Sequence, residues 1–249
     1  MAPCFGTIAR IARGNGHTKV LCQIDNVEPH EHHLTDKPFN RYYLHSVDGF
    51  VYMSEQVHSE LRAYSDAPAL FSPHPLFENF GERVERSEAC VRLGLDPANR
   101  YVLFFGLIRD YKGLDLLLDA WAQLRRAGRT EGRRLIVAGE FYTAREPYLN
   151  RIADNGLQDE VLLHDRFIPD DDVKYYFSAA DFVVQPYKTA TQSGVTQIAY
   201  QFCVPMVVTK VGGLAEIVPD GRVGYVCEPT PEGVAGAIER MYEGDTLQR

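Results

Sequence analysis

Two basic side chains occupy a short loop between an apolar run and a helical pattern. Arg109 and Lys112 follow the run 101–105, which has the aromatic and β-branched residues of a buried strand. Gly113 then precedes leucines and Trp121 at the spacing of an amphipathic helix. Cations and helix N–H groups at the end of a strand favour an anion such as phosphate. The loop has neither common glycine-rich phosphate motif, so a solvated turn is the alternative interpretation.

A second cluster of possible ligands is the segment Pro29–His33, which contains three histidines and one glutamate. Neighbouring side chains in one loop rarely converge on a single ion, and no second group of ligands at zinc spacing appears in the sequence. We therefore expect no metal site, and surface histidines are the simpler interpretation.

The composition is that of a globular protein with an ordinary hydrophobic core. Of 249 residues, 45% are hydrophobic and 24% are charged. The net charge of −8 argues against non-specific binding of nucleic acid. The five cysteines form no C-x-x-C pair, which predicts buried thiols in a reducing, cytoplasmic compartment. No apolar run reaches the roughly 18–20 residues of a membrane span, and no signal peptide is visible.

Strand and helix patterns alternate along the chain, and the connecting loops are short. Such repeated β-α units predict an α/β fold with a parallel, doubly wound sheet. The proline- and glycine-rich segment 72–81 predicts a boundary between a domain at 1–82 and a domain at 83–249. The predicted strands are 19–25, 49–53, 69–71, 101–105, 134–139, 160–164, 181–185, 206–209 and 224–227.

Ligands of such sheets bind beyond the carboxyl ends of the strands. Four loops of the second domain are predicted to face that crevice. They are Gly106–Lys112, Gly139–Thr143, Tyr187–Gly194 and Lys210–Glu216. The cation-bearing loop is the first of these, so the predicted anion site lies at the edge of the sheet where a ligand is expected.

A resemblance to a known family rests on four stretches in order: FFGLIRDYKGLDLLLDA, LIVAGE, VLLHDRFIPDDDVKYYFSAADFVVQPY and PMVVTKVGGLAEIVPDGRVGYVCEP. They resemble the C-terminal domain of family 4 glycosyltransferases, which are retaining, nucleotide-sugar-dependent enzymes with the two Rossmann-like domains of the GT-B fold. The resemblance covers about 101–241. Upstream, DNVEPHE, DGFVYMS and PHPLFENFG resemble the end of the family's N-terminal domain. The implied fold is a complete C-terminal domain with a partial N-terminal one.

The resemblance implies a role for both cations of the first loop. Lys112 stands where the family's lysine binds the donor diphosphate, and Gly106 starts the same loop. The family's arginine normally follows this glycine directly, but Leu107 occupies that position, so Arg109 is the matching candidate. In the N-terminal domain, His30 matches a histidine that faces the transferred sugar. Arg109, Lys112 and His30 are therefore the implied catalytic residues.

The implied donor-binding residues lie in two later loops. Most family members carry two glutamates in the stretch 191–205, but this chain has no glutamate between Asp181 and Glu216. Polar contacts there would come instead from Ser193, the Gly194 backbone and Gln197. The alternative interpretation of Gln197 is a solvated helix residue. In the next loop, the paired glycines 212 and 213 would approach the sugar with their backbone, and Glu216 would accept hydrogen bonds from sugar hydroxyls.

The implied function is transfer of a hexose from a nucleotide sugar to a glycan, lipid-linked or small-molecule acceptor. The family needs no metal or cofactor, because protein cations stabilise the leaving diphosphate. Peripheral membrane contact of a full-length form is also implied. An alternative arises because the first half of the family's N-terminal domain has no counterpart here: an N-terminally truncated chain that binds nucleotide sugar without transfer, or that needs a partner. A sugar-nucleotide epimerase is a more distant alternative.

Overall fold

The structure is a computed structural model, and it describes residues 2–28 and 36–244. Its strands are β1 (Leu21–Ile24), β2 (Gly49–Tyr52), β3 (Ala69–Phe71), β4 (Arg100–Phe105), β5 (Arg133–Ala138), β6 (Val161–His164), β7 (Phe182–Gln185), β8 (Met206–Thr209) and β9 (Gly224–Cys227). Its α-helices are α1 (Ala2–Arg13), α2 (Asp36–Leu44), α3 (Glu55–Arg62), α4 (Arg86–Leu93), α5 (Leu114–Arg126), α6 (Glu146–Asp154), α7 (Asp170–Ala179), α8 (Gly194–Gln201), α9 (Leu214–Ile217) and α10 (Pro231–Glu243). The alternation of strands and helices predicted from the sequence is confirmed.

The chain divides into two compact units. The first comprises residues 1–74 with 190–192, and the second comprises 75–189 with 193–249. The sequence placed its domain boundary after residue 82, whereas the division by contacts falls after His74. The segment 75–85 packs with the second unit through its side chains and backbone; for example, the Val84 N–H donates to the Ser178 hydroxyl on α7 (3.1 Å).

The first unit is a three-stranded parallel sheet in the order β1-β2-β3. Its core forms where apolar side chains of α1, α2 and α3 meet one face of this sheet. Alternate residues of β1, Cys22 and Ile24, are buried in that core, as the period of a strand requires. Ser54 caps the start of α3, since its hydroxyl accepts a hydrogen bond from the Val57 N–H.

The second unit is a six-stranded parallel sheet in the order β6-β5-β4-β7-β8-β9. Strand β4 lies at its centre and is almost entirely buried, which explains its continuous apolar sequence. Helix α5 packs its apolar stripe on the sheet, and Trp121 is fully buried in the resulting core. The Trp121 indole N–H donates to Glu160 (2.8 Å), so burying this ring leaves no unpaired donor.

The strand order places a topological switch point in the second unit. From β4 the chain runs outward through β5 and β6, then returns to the other side of β4 and continues through β7, β8 and β9. The connections after β4 and β7 therefore leave the sheet in opposite directions and open a crevice at its carboxyl edge. In the part of the chain that the structure describes, no helix is both long and apolar enough to span a membrane.

Candidate functional site

The loop after β4 begins at a close approach of two backbones. The Gly106 N–H donates to the Ala138 carbonyl at the end of β5 (2.9 Å). Gly139, which follows β5, has a positive φ of 144°, and a Cβ there would lie 2.1 Å from the Gly106 carbonyl oxygen. Only glycine fits this position, so the loops after β4 and β5 leave the sheet in direct contact.

Lys112 lies in a short 3₁₀ turn, 110–112, just before α5. Its ammonium is close to the start of the loop, because a Cβ on Gly106 would lie 3.2 Å from Lys112 Nζ. The same ammonium lies 5.6 Å from the ring centroid of Tyr187, which follows β7. Residues from both sides of the switch point therefore surround this cation, in the crevice where the sequence predicted it.

The surroundings of Lys112 disfavour its charged form. Burial lowers its pKa below the ordinary value of 10.5, and the positive charge of Arg109 lowers it further, against an opposing effect of Tyr111. An anion placed beside the ammonium would offset the free-energy cost of burying its positive charge. The Arg109 guanidinium lies 5.3 Å from the ring centroid of Tyr142, so the loop after β5 helps to position it.

Helix α8 follows β7 and begins beside the same loop. Its first residues include Val195, whose Cγ2 would lie 3.6 Å from a Cβ on Gly106. Ser193 caps the helix, with its hydroxyl accepting from the Val195 N–H (3.2 Å) and bonded to the Tyr187 hydroxyl (3.1 Å). The Ser193 hydroxyl, which the sequence predicted to contact a ligand, thus has two partners within the protein.

Two further residues predicted to bind the donor lie in α8. Gly194 packs against Phe77, whose Cε2 would be 3.1 Å from an added Cβ. Gln197 is only 4% exposed, although the sequence allowed it to be a solvated helix residue. Burial of an uncharged amide gives this helix a polar group that can both donate and accept.

The predicted sugar-binding residues follow β8. Gly212 has a φ of 47°, and Gly213 precedes the short helix α9, which carries Glu216 on its exposed side. They share the carboxyl edge of the sheet with Lys112 but are separated from β4 by β7. His30 and the histidine-rich segment lie outside the described residues. Among the residues that the structure does describe, no group of three or more His, Cys, Asp or Glu side chains could hold a metal ion.

Tyr187 is the site residue that the sequence analysis did not single out. It is 3% exposed, its hydroxyl bonds to Ser193, and its ring approaches Lys112. Burial raises its pKa to about 12, so the phenol stays neutral. Its position directly after β7 was the available signal, but the pairing of β7 with β4 was needed to place it beside Lys112.

Residues 99–244 match the family model described as Glycosyl transferases group 1. The match covers more than half of the chain, so the chain is a member of this glycosyltransferase family. The match supports the family resemblance inferred from the sequence and disfavours the epimerase alternative.

Curated relatives carry related activities in their names. The D-inositol 3-phosphate glycosyltransferase of Pseudarthrobacter chlorophenolicus is 31% identical over 160 residues, covering 64% of this chain and 38% of that protein. The lipopolysaccharide core biosynthesis mannosyltransferase LpsB of Rhizobium meliloti is 32% identical over 172 residues, covering 66% of this chain and 45% of the relative. The chain thus spans less than half the length of these curated relatives.

Solved structures show the same fold at low sequence identity. Sucrose-phosphate synthase from Thermosynechococcus elongatus superposes with a TM-score of 0.82 at 20% identity, covering 97% of this chain and 63% of that one. Anabaena Alr3699/HepE in complex with UDP gives a TM-score of 0.81 at 19% identity, covering 99% of this chain and 68% of that one. The fold is therefore that of the GT-B glycosyltransferases, as the sequence predicted.

Proposed function

We propose that this protein binds a nucleotide sugar and transfers its hexosyl group to an acceptor with retention of configuration. The observation that carries the proposal is the partly desolvated Lys112 ammonium at the switch point between β4 and β7. This is the edge of a parallel α/β sheet at which ligands bind. A diphosphate there would meet Lys112, with Arg109 in the same loop.

Transfer of the hexosyl group requires the protein to stabilise a leaving group. When the bond between the sugar C1 and the diphosphate oxygen breaks, negative charge develops on that oxygen. A fixed cation in a partly desolvated site stabilises this charge more strongly than water does. The acceptor hydroxyl forms the new bond to C1 on the face that the diphosphate leaves, and its proton passes to the departing diphosphate oxygen. Lys112 and Arg109 supply the charge that a divalent metal supplies in other transferases, so we propose no metal or cofactor requirement.

The remaining predicted contacts surround the sugar and the nucleotide. We assign the sugar hydroxyls to Glu216 and to the backbone of glycines 212 and 213. We assign nucleotide contacts to the beginning of α8, with the buried Gln197 amide in place of a charged residue. We also propose that His30 contacts the transferred sugar, as the family resemblance implies.

The names of the relatives suggest which nucleotide and which acceptor to test for this protein. UDP and UDP-glucose are named in the complexes of the Anabaena structural neighbour, so UDP is the first nucleotide to test. Names of the curated relatives suggest an acceptor of the inositol phosphate or glycan type. Lipid-linked acceptors and peripheral membrane contact are also proposed. The prediction of buried thiols holds for Cys22 and Cys90 but is wrong for Cys4 and Cys203, which are exposed. We propose a cytoplasmic location, where free thiols stay reduced.

Titration with UDP, GDP and ADP tests the donor site. One of these nucleotides should raise the melting temperature of the second unit, because a ligand at 100 times its Kd stabilises the folded state by about 2.7 kcal/mol. The matching nucleoside monophosphate is the control, since it lacks the second phosphate that Lys112 would contact. Equal shifts with the diphosphate and the monophosphate, or no shift with any nucleotide on a folded protein, would contradict the proposed site.

Transfer is tested separately from binding. Incubation of the protein with the matching UDP-, GDP- or ADP-hexose and candidate acceptors should release the nucleotide and form a glycoside with the anomeric configuration of the donor. Nuclear magnetic resonance of the new anomeric proton measures that configuration. An inverted product would contradict the retaining mechanism, and binding with no product from any acceptor would support the alternative of binding without transfer.

Binding of the diphosphate is expected to take up protons at alkaline pH. The pKa of Lys112 is lowered in the free protein, so the free side chain loses its proton between that lowered pKa and the ordinary value of 10.5. A bound diphosphate raises the pKa again, so the complex holds more protons over this interval. The affinity is therefore highest below the lowered pKa and falls as the pH rises through it.

Calorimetry measures this uptake directly. Titrations in buffers with different ionisation enthalpies should give different apparent binding enthalpies in the interval, and this contribution of Lys112 should vanish well below its lowered pKa. The Lys112→Met variant should lose the buffer dependence. An affinity for the diphosphate that is constant through the interval would show that Lys112 does not contact the ligand.

A further inference from the structure

The loops after β4 and β7 are joined to each other next to Lys112. The Lys188 N–H donates to the Tyr111 carbonyl (2.7 Å), and the Tyr111 and Tyr187 rings meet edge to face with centroids 6.1 Å apart. At Gly113 the two backbones touch, since an added Cβ would lie 2.0 Å from the Pro186 carbonyl oxygen. The position of the Lys112 turn therefore depends on the segment 186–188.

An ion pair joins the same two loops on their outer side. Lys188 Nζ lies 2.7 Å from Asp115 Oδ2, and Asp115 is in the first turn of α5, where the helix dipole favours a carboxylate. The pair spans 73 positions of sequence and connects the helix that starts after Lys112 to the segment that carries Tyr187. It is partly exposed, with side-chain exposures of 40% for Lys188 and 27% for Asp115.

The ion pair borders an open space. A cavity of about 290 Å³ adjoins the pair, and its walls are mostly polar. Asp115 Oδ1 is buried and accepts no hydrogen bond from the described residues. The salt bridge therefore adds a second side-chain connection, beside the Tyr111–Tyr187 ring contact, at a place where the cavity leaves the two segments without apolar packing. The lining residues are Asp110, Asp115, Thr143, Ala144, Pro147, Tyr148, Arg151 and Lys188.

We infer that Asp115 and Lys188 are positioning residues of the candidate site: their ion pair holds the loop after β4 against the segment after β7 and so fixes the Lys112 ammonium beside Gly106. That this site binds the donor rests on the proposed function, but the effect of the ion pair on the position of Lys112 does not. Loss of the pair would let the 110–112 turn move away from Tyr187 and would expose Lys112 to water. The ammonium would then be placed less accurately for a diphosphate.

The first test measures Lys112 without any nucleotide. The rate of acetylation of Lys112, followed by mass spectrometry as a function of pH, gives the apparent pKa of this amine. Lys188→Met and Asp115→Asn should each raise that pKa towards the ordinary value, because the freed ammonium is better solvated. Lys188→Arg keeps the charge and should leave it unchanged. An unaltered Lys112 profile in both charge-removing variants would overturn the inference, whatever the protein binds.

The second test measures the affinity for the diphosphate that stabilises the wild type. Lys188→Met and Asp115→Asn should each weaken binding by roughly fivefold or more, and the double variant should be no weaker than either alone, because both remove one interaction. Additive losses would overturn the inference. Failure of the wild type to bind any nucleotide would instead contradict the proposed function and leave the acetylation result to decide the inference.

A matched control lies at the other end of the same helix. Arg125 of α5 pairs with Glu160 at 2.9 Å and has the same 40% side-chain exposure as Lys188. Arg125→Met should change neither the Lys112 profile nor the nucleotide affinity. An equal effect of Arg125→Met would show that any loosening of α5 disturbs the site and would overturn a specific role for the Asp115–Lys188 pair.

Discussion

Replacement of Lys112 by alanine is expected to reduce the rate of transfer by about 10²–10³, the loss typical of removing one group that stabilises the leaving oxyanion. The loss is expected because the Lys112 ammonium lies beside Gly106 at the end of β4, where the leaving diphosphate is proposed to bind. Binding of the diphosphate should weaken as well, since a charge-assisted contact is lost. Steady-state kinetics with the matching nucleotide hexose, together with calorimetry of the free nucleotide, measure the two losses.

The stability of Lys112 variants should distinguish a lost contact from unfolding. Folding lowers the pKa of Lys112, so its positive charge opposes folding at pH values below the lowered pKa, and this penalty is lost as the pH rises towards 10.5. Lys112→Met keeps the aliphatic stem and removes this charge, and we expect it to be at least as stable as the wild type. A variant that loses activity only because it unfolds would contradict this account.

Lys174 of α7 is the matched control for Lys112. Its ammonium also lies near a tyrosine ring, 5.2 Å from the centroid of Tyr175, and its side chain is partly buried. Lys174→Ala removes a lysine of similar surroundings away from the loop after β4. It should leave nucleotide affinity and transfer unchanged, and a loss as large as that of Lys112→Ala would show that general positive charge on this unit, and not the placement of Lys112, controls binding.

Features encoded locally were predictable from the sequence. The apolar run of β4, the glycine that ends it and the leucine stripe of α5 lie within one continuous segment, so their periodicity predicts a strand, a turn and a helix. Lys112 could be placed at a helix start from the same segment. The start of α10 is a local pattern of the same kind, a threonine cap followed by proline, and the Thr230 hydroxyl accepts from the Gly233 N–H.

Features that depend on strand order could not be read from the sequence. Tyr187 reaches Lys112 only because β7 pairs with β4, and no local pattern indicates that partner. The Asp115–Lys188 ion pair likewise forms only because β7 pairs with β4. The buried state of Gln197 also depends on how α8 packs in the second unit, so the sequence left open whether this amide was solvated. The candidate site is therefore completed by the order of the strands and the packing of the helices, which local sequence propensity does not determine.

The two glycines at the ends of α5 provide the largest expected effect on stability. Gly113 precedes the helix with a φ of 68°, and Gly128 follows it with a φ of 69°. An L-residue at either position bears a conformational cost of about 1–2 kcal/mol, offset by about 0.4–1 kcal/mol because alanine also restricts the unfolded chain. The two positions differ in space: a Cβ at 128 meets nothing within 4 Å, whereas a Cβ at 113 lies 2.0 Å from the Pro186 carbonyl oxygen.

Gly113→Ala is therefore expected to destabilise the second unit by about 2–4 kcal/mol, as overpacking adds to the conformational cost, whereas Gly128→Ala should cost about 1 kcal/mol or less. Urea unfolding followed by the fluorescence of Trp121 measures both, because this is the sole tryptophan and it is buried in the core of that unit. The steric clash acts on a carbonyl of the segment after β7, so Gly113→Ala should also displace Lys112 and weaken diphosphate binding where the protein is still folded. Equal destabilisation by the two variants would mean that the backbone conformation alone, and not the contact between the loops after β4 and β7, requires glycine at position 113.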